Sequence, residues 1–126
     1  MDIETATRFC NRWLPAWTGN RPDRLIEFYA QNASYQDPGL SRPLTGRKTI
    51  ERYFRRLLRA NPRWVWEAEE IFPTPGGFTL KWRARIPIGD TEHVLFGLDI
   101  VELEEVITRN EVFFDRSVLL AEAQSP

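Results

Sequence analysis

The sequence predicts an α+β fold in which three helices precede an antiparallel sheet. Apolar residues recur at three- and four-residue spacing up to about Asn61, the period of a helix with one buried face. From Arg63 onward they alternate, the period of a strand. Clusters of Gly, Pro, Asn and Asp cut both halves into short elements. Helices followed by a run of strands pack on one face of the sheet.

The first helix is expected over 3–17, with Phe9, Trp13, Ala16 and Trp17 on its buried face and Pro15 kinking or shortening its last turn. Thr18-Gly19-Asn20 stops it. A second helix over 22–30 starts at Asp23 and carries Leu25, Ile26, Phe28 and Tyr29. A short strand over 33–36 breaks at Asp37-Pro38-Gly39, and Pro43 and Gly46 keep 38–46 a loop. The third helix, 47–60, has the cleanest stripe: Ile50, Tyr53, Phe54, Leu57 and Leu58, ended by Asn61-Pro62. Strands follow over 63–72, 78–88, 92–103 and 106–114, divided by turns at 73–77, 89–90 and 104–105. The tail from Asp115 reads as a short helix or an ordered arm.

The strand 92–103 is apolar on both faces. His93, Leu95, Gly97, Asp99, Val101 and Leu103 alternate with Val94, Phe96, Leu98 and Ile100. Helices cover one face of the sheet, so a second copy of the chain is the expected cover of the other.

The chain has 126 residues, which suits one domain over 1–126. With 42% hydrophobic and 28% charged residues it is globular rather than disordered. The net charge of −1 points to no polyanionic or cationic partner. The third helix is basic, with Arg47, Lys48, Arg52, Arg55, Arg56 and Arg59, and against that balance it reads as a solvated face, not a nucleic-acid surface. Cys10 is the only cysteine, so no intrachain disulfide and no cysteine-based zinc site is expected, and a reducing cytoplasm fits. No secretory signal, membrane span or bound metal is expected. Aromatics at 13% suit a large core or a pocket wall.

The segment Arg12-Trp13-Leu14-Pro15-Ala16-Trp17-Thr18-Gly19-Asn20, then Leu25-Ile26-Glu27-Phe28-Tyr29-Ala30, then Tyr35-Gln36-Asp37-Pro38, resembles the first two helices and active-site turn of bacterial ketosteroid isomerases. The register continues through Pro43, Gly46, Ile50 and Phe54, and Leu98-Asp99-Ile100 falls at that family's acidic strand position. These proteins belong to the nuclear transport factor 2-like, or SnoaL-like, superfamily. The resemblance implies a cone-shaped, cystatin-like barrel enclosing a pocket. It implies acid–base chemistry on a hydrophobic carbonyl compound, with no cofactor. Asp37 matches the general base, and Asp99 matches the protonated acid of the oxyanion hole. The isomerase's oxyanion tyrosine falls on Trp13, whose indole donates one hydrogen bond but has no acidic proton. Its supporting tyrosine falls on Phe54, with Tyr53 turned about 100° away along the helix. Limonene epoxide hydrolases, another branch, use an Asp-Arg-Asp set. Here the arginine position is Gly97 and the last acid position is Val112.

Alternatives stay open at each position. Asp37 is either a pocket base or the cap of the Pro38-Gly39 turn. Asp99 is either a neutral acid or the partner of Arg83, Arg85 or Arg109. Candidate ligand contacts are Tyr35, Phe54, Trp82, Leu95, Gly97 and Phe113, with His93 as a relay on the Asp99 face. The second functional reading is a non-catalytic module that holds a small apolar ligand or a partner.

Overall fold

A computed structural model describes residues 1–117 and Leu119. Asp2 caps α1 (Ile3–Trp13) by accepting from the Thr5 N–H at 2.8 Å, and Ala6, Phe9, Cys10 and Trp13 form its buried face. Pro15 lacks an N–H, so the chain tightens into a 3-10 turn over Leu14–Trp17 and the expected 3–17 helix ends early. α2 (Pro22–Leu25) passes through another 3-10 turn, Ile26–Phe28, into β1 (Tyr29–Gln36). The expected helix over 22–30 therefore stops short, and the strand starts at Tyr29 rather than at 33. Pairing of Tyr29 with Ile107 on the last strand overrides the local helical spacing. β2 is a two-residue strand, Leu44–Thr45, inside the expected loop. α3 spans Arg47–Ala60, as its stripe predicts.

β3 (Val65–Thr74), β4 (Gly77–Ile88), β5 (Thr91–Leu103) and β6 (Ile107–Phe114) form a meander. The sheet order is β2-β1-β6-β5-β4-β3. All pairs are antiparallel except β1 with β6, which runs parallel, so the sheet is mixed and it does not close into a barrel. The parallel pair follows from the chain path: the helices intervene before the meander returns to β1.

The helices lie on the concave face. There Phe78, Leu80, Trp82, Ala84 and Ile86 of β4 are buried against Phe9, Trp13, Leu25, Ile50, Phe54 and Leu58. Alternation sends Lys81, Arg83 and Arg85 to the convex face, where they pair with Glu70, Glu67 and Glu69 of β3. Val94, Phe96 and Leu98 of β5 lie on that face too, 49%, 56% and 42% exposed. Ser117 and Leu119 of the tail are helical, and Leu119 packs on the core; its other positions, 118 and 120–126, lie outside the described residues. Among the described residues no helix is long and apolar enough to cross a membrane.

Candidate active site

Between the helices and the concave face lies a cavity with about 70 Å³ of room for the centres of water-sized molecules. Trp17, Trp64, Trp66 and Leu57 line it from the helix side and β3. Trp82, Ala84, Ile86 and Leu95 line it from β4 and β5, and Val112 and Phe114 from β6. Tyr35, Asp37 and Asp99 complete the wall, and none of the described lining residues is Lys, Arg or His.

Asp37 follows the end of β1 and is buried. Its Oδ1 accepts the Gly39 N–H at 2.8 Å, the turn that Asp-Pro-Gly predicts. Its Oδ2 accepts the Tyr35 hydroxyl at 2.8 Å and the Tyr53 hydroxyl at 2.6 Å. The turn and pocket readings of Asp37 are therefore not exclusive. Tyr53 was expected to face away. It sits on the flank of α3 beside Tyr35, with ring centroids 5.8 Å apart, and a phenol is long enough to reach Asp37 from there. Burial, followed by the bond to Asp37, raises the Tyr53 hydroxyl well above its usual range.

Asp99 is also buried, at 4% exposure. The Trp82 indole N–H donates to its Oδ1 at 2.7 Å, and Asn110 Nδ2 donates to its Oδ2 at 3.0 Å. Asn110 Oδ1 in turn accepts the Tyr29 hydroxyl at 2.8 Å. Burial pushes the Asp99 pKa up to about 7, the two donors oppose that rise, and the Asp37 charge adds to it. The alternative, a salt bridge to Arg83, Arg85 or Arg109, is not formed among the described residues. Arg83, Arg85 and Arg109 stand on the convex face and bind Glu67, Glu69, Glu102 and Glu111 instead.

Gly97 makes the Trp82–Asp99 bond possible. It lies directly across from Trp82, and the indole covers the space a side chain would fill. So Gly97 opens room for Trp82, not for a ligand. A Cβ at Gly97 collides with the indole and comes 2.8 Å from the Phe113 carbonyl oxygen. Gly97→Ala is expected to cost about 1–3 kcal/mol, the usual size of an overpacking penalty. It should also pull Trp82 off Asp99. Chemical denaturation measures the first effect, and a shift in tryptophan emission reports the second.

Tyr35, Trp82, Leu95, Asp37 and Asp99 are thus brought together, and five other candidates are not. Trp13 is fully buried among Phe9, Trp17 and Phe78 and lines the core. Its indole N–H lies toward the Tyr29 hydroxyl and favours that group's ionisation, but the contact falls short of full hydrogen-bonding geometry. The α1 register points this side chain at the core, so it is not the oxyanion donor the resemblance suggests. Phe54 packs against Trp17, Tyr29 and Tyr35, behind the cavity wall. Phe113 alternates outward from Phe114 and is 52% exposed on the convex face. His93 lies near the start of β5 with Nε2 3.3 Å from the Thr91 hydroxyl, away from the cavity lining. Gly97 is the fifth, for the reason given.

Asn110 is the functional-site residue that the sequence reading missed. It lies on β6 opposite Val101, a polar residue in an inward position, and only the β5–β6 register exposes its link to Asp99. Among the described residues no three His, Cys, Asp or Glu side chains gather closely enough to hold a metal ion.

The SnoaL-like domain family matches residues 10–106. No curated protein sequence matches the chain. Many solved structures share the fold. A protein of ketosteroid isomerase-like fold from Catenulispora acidiphila, in complex with trimethylamine, is 21% identical, with 92% of each chain covered and a TM-score of 0.79. A protein described as a SnoaL-like polyketide cyclase, from Shewanella putrefaciens, is 13% identical over 97% of this chain and 87% of that one, with a TM-score of 0.80. An LEH-like epoxide hydrolase from M. tuberculosis is 16% identical over 94% of this chain and 89% of that one, with a TM-score of 0.74. At these identities the likeness is one of fold.

Proposed function

The chain belongs to the SnoaL-like family, and from its cavity we propose that it is a cofactor-independent enzyme that moves a proton on a hydrophobic carbonyl compound. One observation carries this reading: two buried carboxyls in different electrostatic settings line a single aromatic cavity. Two carboxyls facing one cavity can serve as acid and base when burial keeps the proton on one of them, here Asp99. Asp99 is the acid. Four lone-pair sites serve its two oxygens and two are taken by Trp82 and Asn110, so a proton on a free site is available to a ligand oxygen. Asp37 is the base, using the remaining site on Oδ1.

The step balances without a co-reactant. Asp37 takes the proton from the carbon beside the carbonyl, and that C–H electron pair becomes a C=C bond. The carbonyl π pair moves to oxygen, which receives the Asp99 proton or hydrogen bond. Return of the proton at another carbon completes an isomerisation; attack of the enol carbon on a second carbonyl completes a cyclisation, with the new alkoxide taking the proton held by Asp37 and the enol oxygen returning its proton to Asp99 as the first C=O re-forms. The epoxide-hydrolase set does not fit, because Gly97 stands two residues before Asp99 and Val112 stands opposite it. Hydrophobic ketones incubated with the protein in D₂O test the proposal by mass spectrometry. Enzyme-dependent deuterium uptake beside the carbonyl is the expected result. A ketone that binds but shows no uptake above buffer points instead to a non-catalytic binding module.

The assembly proposed is a two-fold dimer through the convex face. Val94, Phe96, Leu98 and Phe113 form an exposed apolar stripe there, bordered by the Glu and Arg pairs. The interface should bury over about 1,200 Å² in total. Phe96→Asp places a charge on an already exposed position, so it should produce a folded monomer. Light scattering decides, and a monomeric wild type at micromolar concentration defeats the proposal.

A further inference from the structure

The charges around the cavity are distributed unevenly. Every donor to Asp37 and Asp99 is neutral: two phenols, a backbone N–H, an indole and an amide. Neither carboxyl forms an ion pair among the described residues, while the arginines of β4 and β6 are committed to glutamates on the opposite face. Arg56 and Arg116 act on the Tyr53 phenol, and Arg116 is tied to the Pro38 carbonyl oxygen at 2.8 Å. Buried carboxylates without a counter-cation are costly.

The rest of the wall suits a cation. Trp17, Trp64 and Trp66 form a continuous run of rings, with centroids 5.8 Å apart for both neighbouring pairs. Tyr35 extends it, 6.3 Å from Trp17. Ring faces attract cations, tryptophan most strongly, and more so where water is excluded. The cavity leaves about 70 Å³ for the centres of water-sized molecules alone, more room than a bare ion fills and enough to admit a group with several methyls.

We propose that this cavity binds a positively charged ligand group, a methylated ammonium or alkylated amine, seated on the tryptophan faces and counter-charged by Asp37, while Asp99 keeps its proton. The inference rests on this cavity being the ligand site, as in the function proposed above, and it narrows the substrate class to compounds carrying such a group. Anions are excluded by the same charge.

Choline and 3,3-dimethyl-1-butanol have the same shape and differ in charge. Calorimetry with the wild-type protein should show choline binding at least about tenfold tighter, within the range of desolvated cation–π contacts. Trp66→Leu should reduce that preference several-fold by weakening choline more than the neutral isostere, and Asp37→Asn should reduce it too. Equal affinity, tighter binding of the isostere, or no binding of choline overturns the inference. A neutral cyclic ketone is the third probe. If the ketone binds and exchanges its protons but choline does not bind, the cation inference falls and the enzymatic reading stands. If choline binds and no ketone does, the inference stands and the carbonyl reading falls.

Discussion

Asp99→Asn is expected to make the protein more stable than wild type at pH 8 and slightly less stable at pH 4. In the folded chain, burial raises the Asp99 pKa from 3.8 to about 7. In the unfolded chain the carboxyl ionises near its ordinary value. A raised folded pKa means that the folded state binds the proton more tightly. Its stabilising contribution is complete below about pH 4 and is lost as pH rises through about 7. Three pH units correspond to about 4 kcal/mol across that window. Asparagine is neutral throughout and carries no such slope. It still accepts the Trp82 N–H, but its own NH₂ faces the Asn110 NH₂, so the Asn110 amide must turn over and the Tyr29 hydroxyl must accept instead of donate. That rearrangement costs about 1 kcal/mol, the size of one ordinary hydrogen bond. Urea denaturation of both proteins at pH 4.5, 6 and 8 measures the difference, and other carboxylates cancel in the comparison. Parallel pH profiles would mean that Asp99 has a charge partner and is not the acid of this site.

The same comparison explains what the sequence discloses and what it hides. α3 was legible to the residue because its stripe and the Asn61-Pro62 stop agree. The hairpins were legible because period-2 alternation and Gly/Pro turns coincide in β4 and β5. The start of β1 was not legible. Ile26, Phe28 and Tyr29 have helical spacing, and only parallel pairing with β6 makes them a turn and a strand. The two carboxyls were visible as site candidates through the resemblance to ketosteroid isomerases, since Asp37 before Pro-Gly reads equally well as a turn residue. Their partners were not. Trp82, Asn110 and Tyr29 reach Asp99 through cross-strand register, a property of pairs of strands. Tyr53 was discarded on helical angle alone, although a phenol on the flank of a helix reaches further than its Cβ direction suggests. Trp13 fails as a donor for the opposite reason. A family position carries over the backbone site, while the side chain's neighbours fix where the indole lies, and here it packs on the rings of Phe9, Trp17 and Phe78.

Asp37→Asn should lower turnover by a factor on the order of 10² or more while the fold and the binding of a neutral ketone survive, since general-base catalysis contributes about 10²–10⁴. The geometry makes this substitution unusually clean. Asparagine keeps a carbonyl oxygen for the Gly39 N–H, so the turn that positions the loop is preserved. The atom replaced is the oxygen that accepts both phenols, and a hydroxyl can rotate from donor to acceptor toward an NH₂ group. What disappears is the one group able to take a proton from carbon at this end of the cavity. Rate and KM should therefore separate, with the rate of deuterium uptake falling and KM staying within a few-fold. Tyr53→Phe is the graded counterpart. It removes the 2.6 Å bond to Oδ2 but leaves Oδ1 and the turn in place, so it should lower turnover less than Asp37→Asn does. If Asp37→Asn turns over ketone at the wild-type rate, Asp37 is a turn residue that happens to line the cavity, and proton abstraction must be assigned elsewhere. If Asp37→Asn alters only ligand affinity in a protein that never exchanges ketone protons, the chain is a binding module built on this fold.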